Sequence, residues 1–148
     1  MDAFHHSRLD AYRLALQFAG EVDPILRRMP HWRAPVRDQL LRAACSIIAN
    51  IAEGAGEHSR RDKARFYRIA RRSATESAAL LDFLHVTDVA AAEEVQAHHQ
   101  LLARIAALLT VMAKRLEAPP SSAGAAAAEP RRAARRAGAQ GPRSGPGA

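Results

Sequence analysis

Residues 39–54 read QLLRAACSIIANIAEG, and this stretch decides the fold. At about 100° per residue, one side of the predicted helix carries an apolar stripe made of Leu40, Ala44, Ile47 and Ile51. A second apolar stripe beside it consists of Leu41, Cys45, Ile48 and Ala52. Together they cover about half of the circumference, where an ordinary surface helix has a stripe of about 100°. This helix is therefore either central in its own bundle or packs its second stripe against another subunit, and we expect self-association.

A first helix is predicted before this stretch. Ser7 is a good N-cap, and Pro24 should interrupt and kink the helix because it lacks a backbone donor. The residues expected at helical spacing on its core face are Leu9, Tyr12, Leu16, Ala19 and Leu26. Residues 29–34 then form a connection to the second helix.

Two more helices follow the second one. Pro35 suits the first turn of the second helix, and Gly54 and Gly56 are stop signals at its end. A third helix is predicted over 59–87, capped by Ser59, and a fourth over 92–116. The expected seam of the fourth consists of Val95, His98, Leu102, Ile105, Leu109, Met112 and Leu116. Short connections between long amphipathic helices predict an all-α, antiparallel up-down four-helix bundle over residues 1–117.

Residues 118–148 differ in composition from the rest of the chain. They hold five prolines, five glycines and no large apolar residue, so nothing there offsets the entropy of ordering. We predict a disordered basic tail. Four of its arginines stand as two pairs and are candidate contacts for an anionic partner: Arg131, Arg132, Arg135 and Arg136. The alternative is a low-complexity extension without a role.

Charge and cysteine content restrict the class of protein. The formal net charge is +7, and residues 118–148 contribute +4 of it through five arginines and one glutamate. The N-terminal segment lacks the apolar run of a signal peptide, and no stretch reaches the roughly 18 apolar residues of a membrane span. The single cysteine, Cys45, cannot form an internal disulfide, which favours a reducing compartment. We expect a soluble cytoplasmic protein.

A basic stripe is the clearest functional signal. Arg61, Arg65, Arg68 and Arg72 are spaced four, three and four residues apart, so they share one face of the third helix. That face lies about 120° from the apolar stripe and should look outward. Arginines in a line can bind the phosphates of a nucleic-acid backbone, and Arg60, Lys63 and Arg71 add charge nearby. The alternatives are a solvated face or ion pairs with acidic residues of helices one and four of a neighbouring subunit.

Polar residues also cluster beside the apolar seam of the second helix: Gln39, Arg42, Ser46, Asn50 and Glu53. On the third helix, Ser73 and Ser77 lie inside the stripe of Phe66, Ala70, Leu80 and Leu84, where small residues allow two helices to approach closely. Asn50 and Glu53 are expected to bond to the third helix or to another subunit. Such a network specifies bundle or ring geometry, and the alternative is a ligand-binding role.

The stretch 39–54, followed by Ser59 and by ARFYRIARRSATESAALL at 64–81, resembles the four-helix-bundle protein family of 23S rRNA intervening sequences. The likeness covers about residues 9–116. The matching motif positions are Gln39, Arg42, Ala43, Ser46, Ile47, Asn50, Ile51, Ala52, Glu53, Gly54, Phe66, Ala70, Ser73 and Glu76. The chain departs from the pattern at Arg72, where relatives often have glycine, and at Pro24.

This resemblance implies an up-down bundle, assembly into a ring-like homopentamer, and no enzymatic activity. At the level of fold there is a more distant likeness to accessory proteins of diversity-generating retroelements, which are basic pentameric bundles that partner a reverse transcriptase and nucleic acid. The sequence therefore predicts a homo-oligomeric module that binds nucleic acid, with RNA favoured. The alternative is a ring-shaped scaffold that binds another protein, such as a reverse transcriptase, without touching nucleic acid.

Enzymatic and metal chemistry find little support in the sequence. A di-iron bundle needs Glu-x-x-His on two helices, and no glutamate here has a histidine three residues later. Cys45 is expected to be inert on its apolar stripe. Gly54 to Gly56 follow a helix instead of joining a strand to one, so they are not expected to form a phosphate-binding loop. We expect no metal, no cofactor and no catalysis. Trp32 could stack on a base or close the end of the bundle.

Overall fold

The computed structural model describes residues 5–119, and this part of the chain folds into four α-helices with short connections. Two 3₁₀ turns, His5–Arg8 and His31–Arg33, precede the first and second helices. The helices are α1 (Asp10–Arg28), α2 (Ala34–Gly56), α3 (Arg60–Val86) and α4 (Ala92–Glu117). Helix α1 packs against α2 and α4, and α3 packs against both α2 and α4. The predicted all-α four-helix bundle is confirmed, and the predicted tail over 118–148 lies outside the described residues, apart from 118 and 119.

The start of α1 differs from the prediction. Residues His5–Arg8 form a 3₁₀ turn, so Leu9, whose backbone is extended at φ −80° and ψ 127°, is the N-cap instead of Ser7. The expected interruption at Pro24 is also wrong, because α1 continues through it to Arg28. Both Pro24 and Gly20, one turn earlier, are exposed. Water can therefore hydrate the Gly20 carbonyl that Pro24 leaves without a helical donor.

The core face of α1 is also not the predicted one. Leu16 is 47% exposed, and of the five expected core residues only Leu26 is buried. The buried residues of α1 are Ala11, Ala15, Phe18, Val22, Ile25 and Leu26. Two alanines on this face let α1 lie close to its neighbours, while Phe18 fills the centre of the bundle at 0% exposure.

The later helices follow the prediction closely. The side chain of Ser59 accepts a hydrogen bond from the backbone N–H of Asp62 at 3.3 Å, so Ser59 is the N-cap of α3. On α4 the first five residues of the expected seam are buried, and Met112 and Leu116 are half-buried at its end. None of the helices in residues 5–119 has a segment long and apolar enough to cross a bilayer.

An ion pair ties the end of α1 to the start of α4. Arg28 donates from Nη1 to Oε1 of Glu94 at 2.9 Å and from Nη2 to Oε2 at 2.5 Å. The backbone N–H of Ala91 also donates to Oε2 of Glu94, at 3.0 Å. The hydrogen bond from Arg28, and after it the one from Ala91, lower the pKa of Glu94 below its ordinary value because they favour the carboxylate.

This contact predicts a pH-dependent stability. Because the pKa of Glu94 is lower in the folded chain than its ordinary value of 4.5, the stabilisation is complete above about pH 4.5 and is lost as the pH falls through the folded pKa. We expect Arg28→Met to lower the free energy of unfolding more at pH 7 than at pH 3, as measured by urea unfolding. Arg104→Met, at an exposed arginine on α4, is the control. Equal losses at both pH values for Arg28→Met would contradict the prediction.

Candidate nucleic-acid interface

The four arginines predicted to share a face of α3 are all exposed: Arg61, Arg65, Arg68 and Arg72. They lie on the outward side because the opposite side of α3 is packed into the bundle. The buried residues of α3 are Ala64, Tyr67, Ala70, Ser73, Ala74, Ser77, Leu81 and Leu84. We call the surface formed by the four arginines the α3 basic face.

The arginines of the α3 basic face differ in their partners. Arg68 forms an ion pair with Glu117 at the end of α4 of the same chain, whereas the sequence indicated such pairs only with a neighbouring subunit. The guanidinium carbon of Arg65 lies 5.2 Å from the ring centre of Phe66, within cation–π range. Within residues 5–119, no acidic side chain pairs with Arg61, Arg65 or Arg72. Three arginines in a line therefore keep their charge available for an anionic partner.

Two of the additional basic residues have structural contacts instead. Arg60 donates to the main-chain oxygens of Arg115 at 2.9 Å, Leu116 at 3.2 Å and Ala118 at 3.1 Å. It thereby satisfies carbonyls that the C-terminal turn of α4 leaves without helical partners. Arg71 donates to Oγ1 of Thr110 on α4 at 3.4 Å. The sequence therefore overstated how many basic side chains near the α3 basic face are available to bind an anionic ligand.

The polar motif joins α2 to α3 at two points. Ser46 and Ser73 share a hydrogen bond between their Oγ atoms at 2.9 Å, and Gln39 donates from Nε2 to Oε1 of Glu76 at 3.1 Å. Small side chains at the first contact allow the two helices to approach closely, as the sequence indicated. Ser73 and Ser77 are only 7% and 0% exposed, which agrees with a close approach of α2 and α3.

Asn50 and Glu53 do not reach α3. Asn50 donates from Nδ2 to the main-chain oxygen of Ser46 at 2.8 Å and to its Oγ at 3.1 Å, so it bonds within α2. Glu53 and Arg42 are exposed and have no hydrogen-bond or ion-pair partner among the described residues. The expected bonds from Asn50 and Glu53 to the third helix are absent there, and the alternative contact with another subunit stays a prediction.

Residues 7–111 match the model of a protein family described as 23S rRNA-intervening sequence protein. The match covers more than two thirds of the chain and includes the whole α2–α3 motif. The chain belongs to this family. No curated protein shows significant similarity to it. The family match ends before Glu117 and does not cover the tail arginines, so of the arginines predicted to bind nucleic acid only those on α3 lie in the family region.

Within the family region, Gly54 has a packing role that sequence reasoning missed. It is buried in the last turns of α2, where a Cβ would lie 2.6 Å from Cε1 and 2.9 Å from Cδ1 of Tyr67. The Tyr67 ring, 4% exposed, fills the space that a side chain would need, and its burial raises the pKa of the phenol. The sequence placed Phe66 in this layer, but Phe66 is half-buried and Tyr67 takes the core position. The spacing of Tyr67 with Ala70, Ala74 and Leu81 was the signal for it.

The second apolar stripe of α2 is incompletely covered by the bundle. Leu41 is 48% exposed and Cys45 is exposed, while Ile48 and Ala52 are half-buried. The alternative that α2 is central in its own bundle is therefore wrong, and the expectation that Cys45 is inert stays a prediction, since its stripe is exposed at this position. On the adjacent helix α1, Leu16 is 47% exposed as well. An apolar surface of this kind is typical of association.

The other polar groups of the described residues include no metal-binding cluster. Within residues 5–119 no three histidine, cysteine, aspartate or glutamate side chains converge on a position that could hold a metal ion. His98 is 6% exposed, and its Nδ1 lies 2.5 Å from the main-chain oxygen of Glu94. A groove of about 650 Å³ between α1 and α4 contains Arg13, which pairs with Asp10 at 3.4 Å. This groove is partly open to solvent, and its other lining residues are Leu14, Arg104, Ala107 and Leu108.

Proposed function

We propose that this protein is a non-enzymatic, homo-oligomeric module that binds nucleic acid, and specifically RNA, through the α3 basic face. The observation that carries the proposal is the row of Arg61, Arg65 and Arg72, exposed and without acidic partners in residues 5–119. Their spacing corresponds to about 6 Å and about 10 Å along the helix axis. Each guanidinium can donate two parallel hydrogen bonds to a phosphate, so the row suits a backbone that runs along α3.

Two further observations support the choice of RNA and of an oligomer. The description of the family names 23S rRNA, which favours RNA over DNA as the ligand. The uncovered stripe of Leu41 and Cys45 on α2 favours self-association, and the family resemblance favours a pentamer. In a ring, the basic face would recur once in every subunit. Each repeat would then add its own phosphate contacts to the affinity.

Charge reversal on the basic face tests this function. We expect Arg65→Glu with Arg72→Glu to weaken binding to a structured RNA about tenfold or more and to reduce the slope of log affinity against log salt by about 2. The measurement is fluorescence anisotropy of labelled RNA across a salt series. The matched control is Arg42→Glu with Arg104→Glu, which changes the charge equally at exposed sites on α2 and α4. Light scattering on all variants shows whether the oligomer is intact.

The other outcomes identify the alternatives. A full-length variant with alanine at the four tail arginines, Arg131, Arg132, Arg135 and Arg136, separates their contribution from that of α3. If the basic-face variant loses its oligomeric state, the arginines belong to assembly. If the unaltered protein binds neither RNA nor duplex DNA at low salt, nucleic-acid binding is excluded. The scaffold that docks another protein on its uncovered apolar surface then becomes the working function.

A further inference from the structure

An exposed aromatic group lies at the end of the bundle where α1 is connected to α2. Trp32 is 74% exposed, so the alternative that it closes the bundle end is wrong. The guanidinium carbon of Arg33 lies 4.4 Å from the centre of the Trp32 ring and 6.0 Å from that of Phe83. Arg33 itself is fixed to the end of α3, since it donates to Oγ1 and to the main-chain oxygen of Thr87.

This geometry leaves one face of the indole available. The guanidinium of Arg33 sits against one side of the ring, while most of the Trp32 surface is in contact with solvent. Phe83, which shares the Arg33 guanidinium with Trp32, is 44% exposed, and Val86 in the last turn of α3 is 75% exposed. We call Trp32, Arg33 and Phe83 the aromatic platform. Half of the six large apolar side chains that are exposed in residues 5–119 lie at this end of the bundle.

The aromatic platform continues the α3 basic face. Phe83 follows Arg72 by eleven residues, which is about three turns of helix, and follows Arg65 by eighteen, which is about five turns. Phe83 therefore lies on the same side of α3 as these arginines, about 16 Å beyond Arg72. At the 3.4 Å axial spacing of one strand of a DNA duplex, this distance corresponds to about five nucleotides of a strand that runs along the arginines towards the end of α3.

We propose that the aromatic platform stacks an unpaired base of an RNA whose backbone is bound by the α3 basic face. The ligand class is thus a duplex or hairpin that ends in, or is interrupted by, unpaired nucleotides, because the bases of a continuous duplex are stacked on each other and not accessible. This inference rests on the proposed function and makes it more specific.

The chemistry of the platform favours a base over the apolar surface of a protein. Every base offers a flat π face to an aromatic ring, and stacking of this kind requires no particular sequence. The neighbouring guanidinium of Arg33 and the arginines of the same side of α3 supply the positive charge that a nucleotide needs and an apolar protein surface does not.

Trp32 is the only tryptophan of the chain, so its fluorescence reports on the platform directly. The test uses the full-length protein with two RNAs, a blunt hairpin and the same hairpin with a five-nucleotide single-stranded extension. We expect the extended hairpin to quench Trp32 emission and to bind at least about fivefold more tightly than the blunt one. Trp32→Ala should remove this difference and leave the affinity for the blunt hairpin within about twofold. Trp32→Phe, which keeps an aromatic ring, should retain most of it.

Each alternative outcome has a distinct meaning. If both hairpins bind equally and salt-sensitively, with Trp32 emission unchanged, the platform is refuted while RNA binding by the basic face stands. If neither hairpin binds, the proposed function fails and the platform inference fails with it. If Trp32 emission shifts with protein concentration in the absence of RNA, the platform is a contact between protein chains, and the inference is overturned. Thermal melting of Trp32→Ala shows whether the exposed position is neutral for folding.

Discussion

Replacing Phe18 with alanine is expected to lower the free energy of unfolding by about 3–5 kcal/mol. Phe18 is completely buried, and the centre of its ring lies 5.9 Å from that of His98 on α4, in an edge-on arrangement. The substitution removes the apolar contacts of α1 with the core and leaves a cavity that the surrounding helices can fill only in part. A loss of this size is a large fraction of the stability of an ordinary domain, about 5–15 kcal/mol.

The measurement is urea unfolding followed by circular dichroism, at one protein concentration for all variants because the proposed self-association would make stability depend on concentration. Phe83→Ala provides the matched control, since it deletes the same side chain at a position that is 44% exposed. We expect it to cost less than about 1 kcal/mol. Comparable losses for the two variants would show that α1 does not enter the core through Phe18, and would favour the Leu9 to Leu26 face that the sequence indicated.

Adding one methyl group at Gly54 is expected to destabilise the fold by up to about 2 kcal/mol. The new Cβ would lie 2.6 Å from a carbon of the Tyr67 ring and 3.2 Å from Cβ of Phe66, so α2 and α3 must separate or the buried ring must move. Overpacking of this kind costs about 1–3 kcal/mol, and the better helix propensity of alanine offsets about 1 kcal/mol of it.

Gly20→Ala is the control for this prediction, with an effect of the opposite sign. A Cβ at Gly20 meets no atom within 4 Å, so only the helix propensity changes and the free energy of unfolding should rise by about 0.5–1 kcal/mol. In addition, Gly54→Ala should lower the free energy of unfolding less in a Tyr67→Leu background, because leucine does not fill the space of the Tyr67 ring and so leaves room for the new Cβ. Stabilisation by Gly54→Ala in the unaltered background would contradict the close approach of α2 and α3.

The fold was predictable because helix patterns act over short distances in the chain. The bounds of α3 and α4 agree with the prediction within one residue, since the Ser59 cap and the seam of α4 are local signals. In α1 the apolar residues permit two different faces, and the sequence alone favoured the larger side chains over the alanines. The structure buries Ala11 and Ala15 instead, because small residues let α1 approach the other helices and place Phe18 at their centre.

The candidate site was predictable in its position but not in its available charge. Spacing alone placed the four arginines on one face of α3. That Arg68 pairs with Glu117, and that Arg60 binds carbonyls of α4, depends on where the end of α4 lies next to the start of α3. Such contacts join residues about fifty positions apart, which no local pattern records.

The sequence by itself determined the helical class, most helix ends, the family and the row of arginines, because each depends on residue type and spacing within a few turns. Tertiary structure alone decided which apolar stripes are covered, leaving Leu16, Leu41 and Cys45 accessible on α1 and α2. It also brought the Arg33 guanidinium close to the rings of both Trp32 and Phe83, and turned Asn50 back towards its own helix. These features follow from the packing of whole helices, in which the burial of one face fixes what every other side chain of the helix can reach.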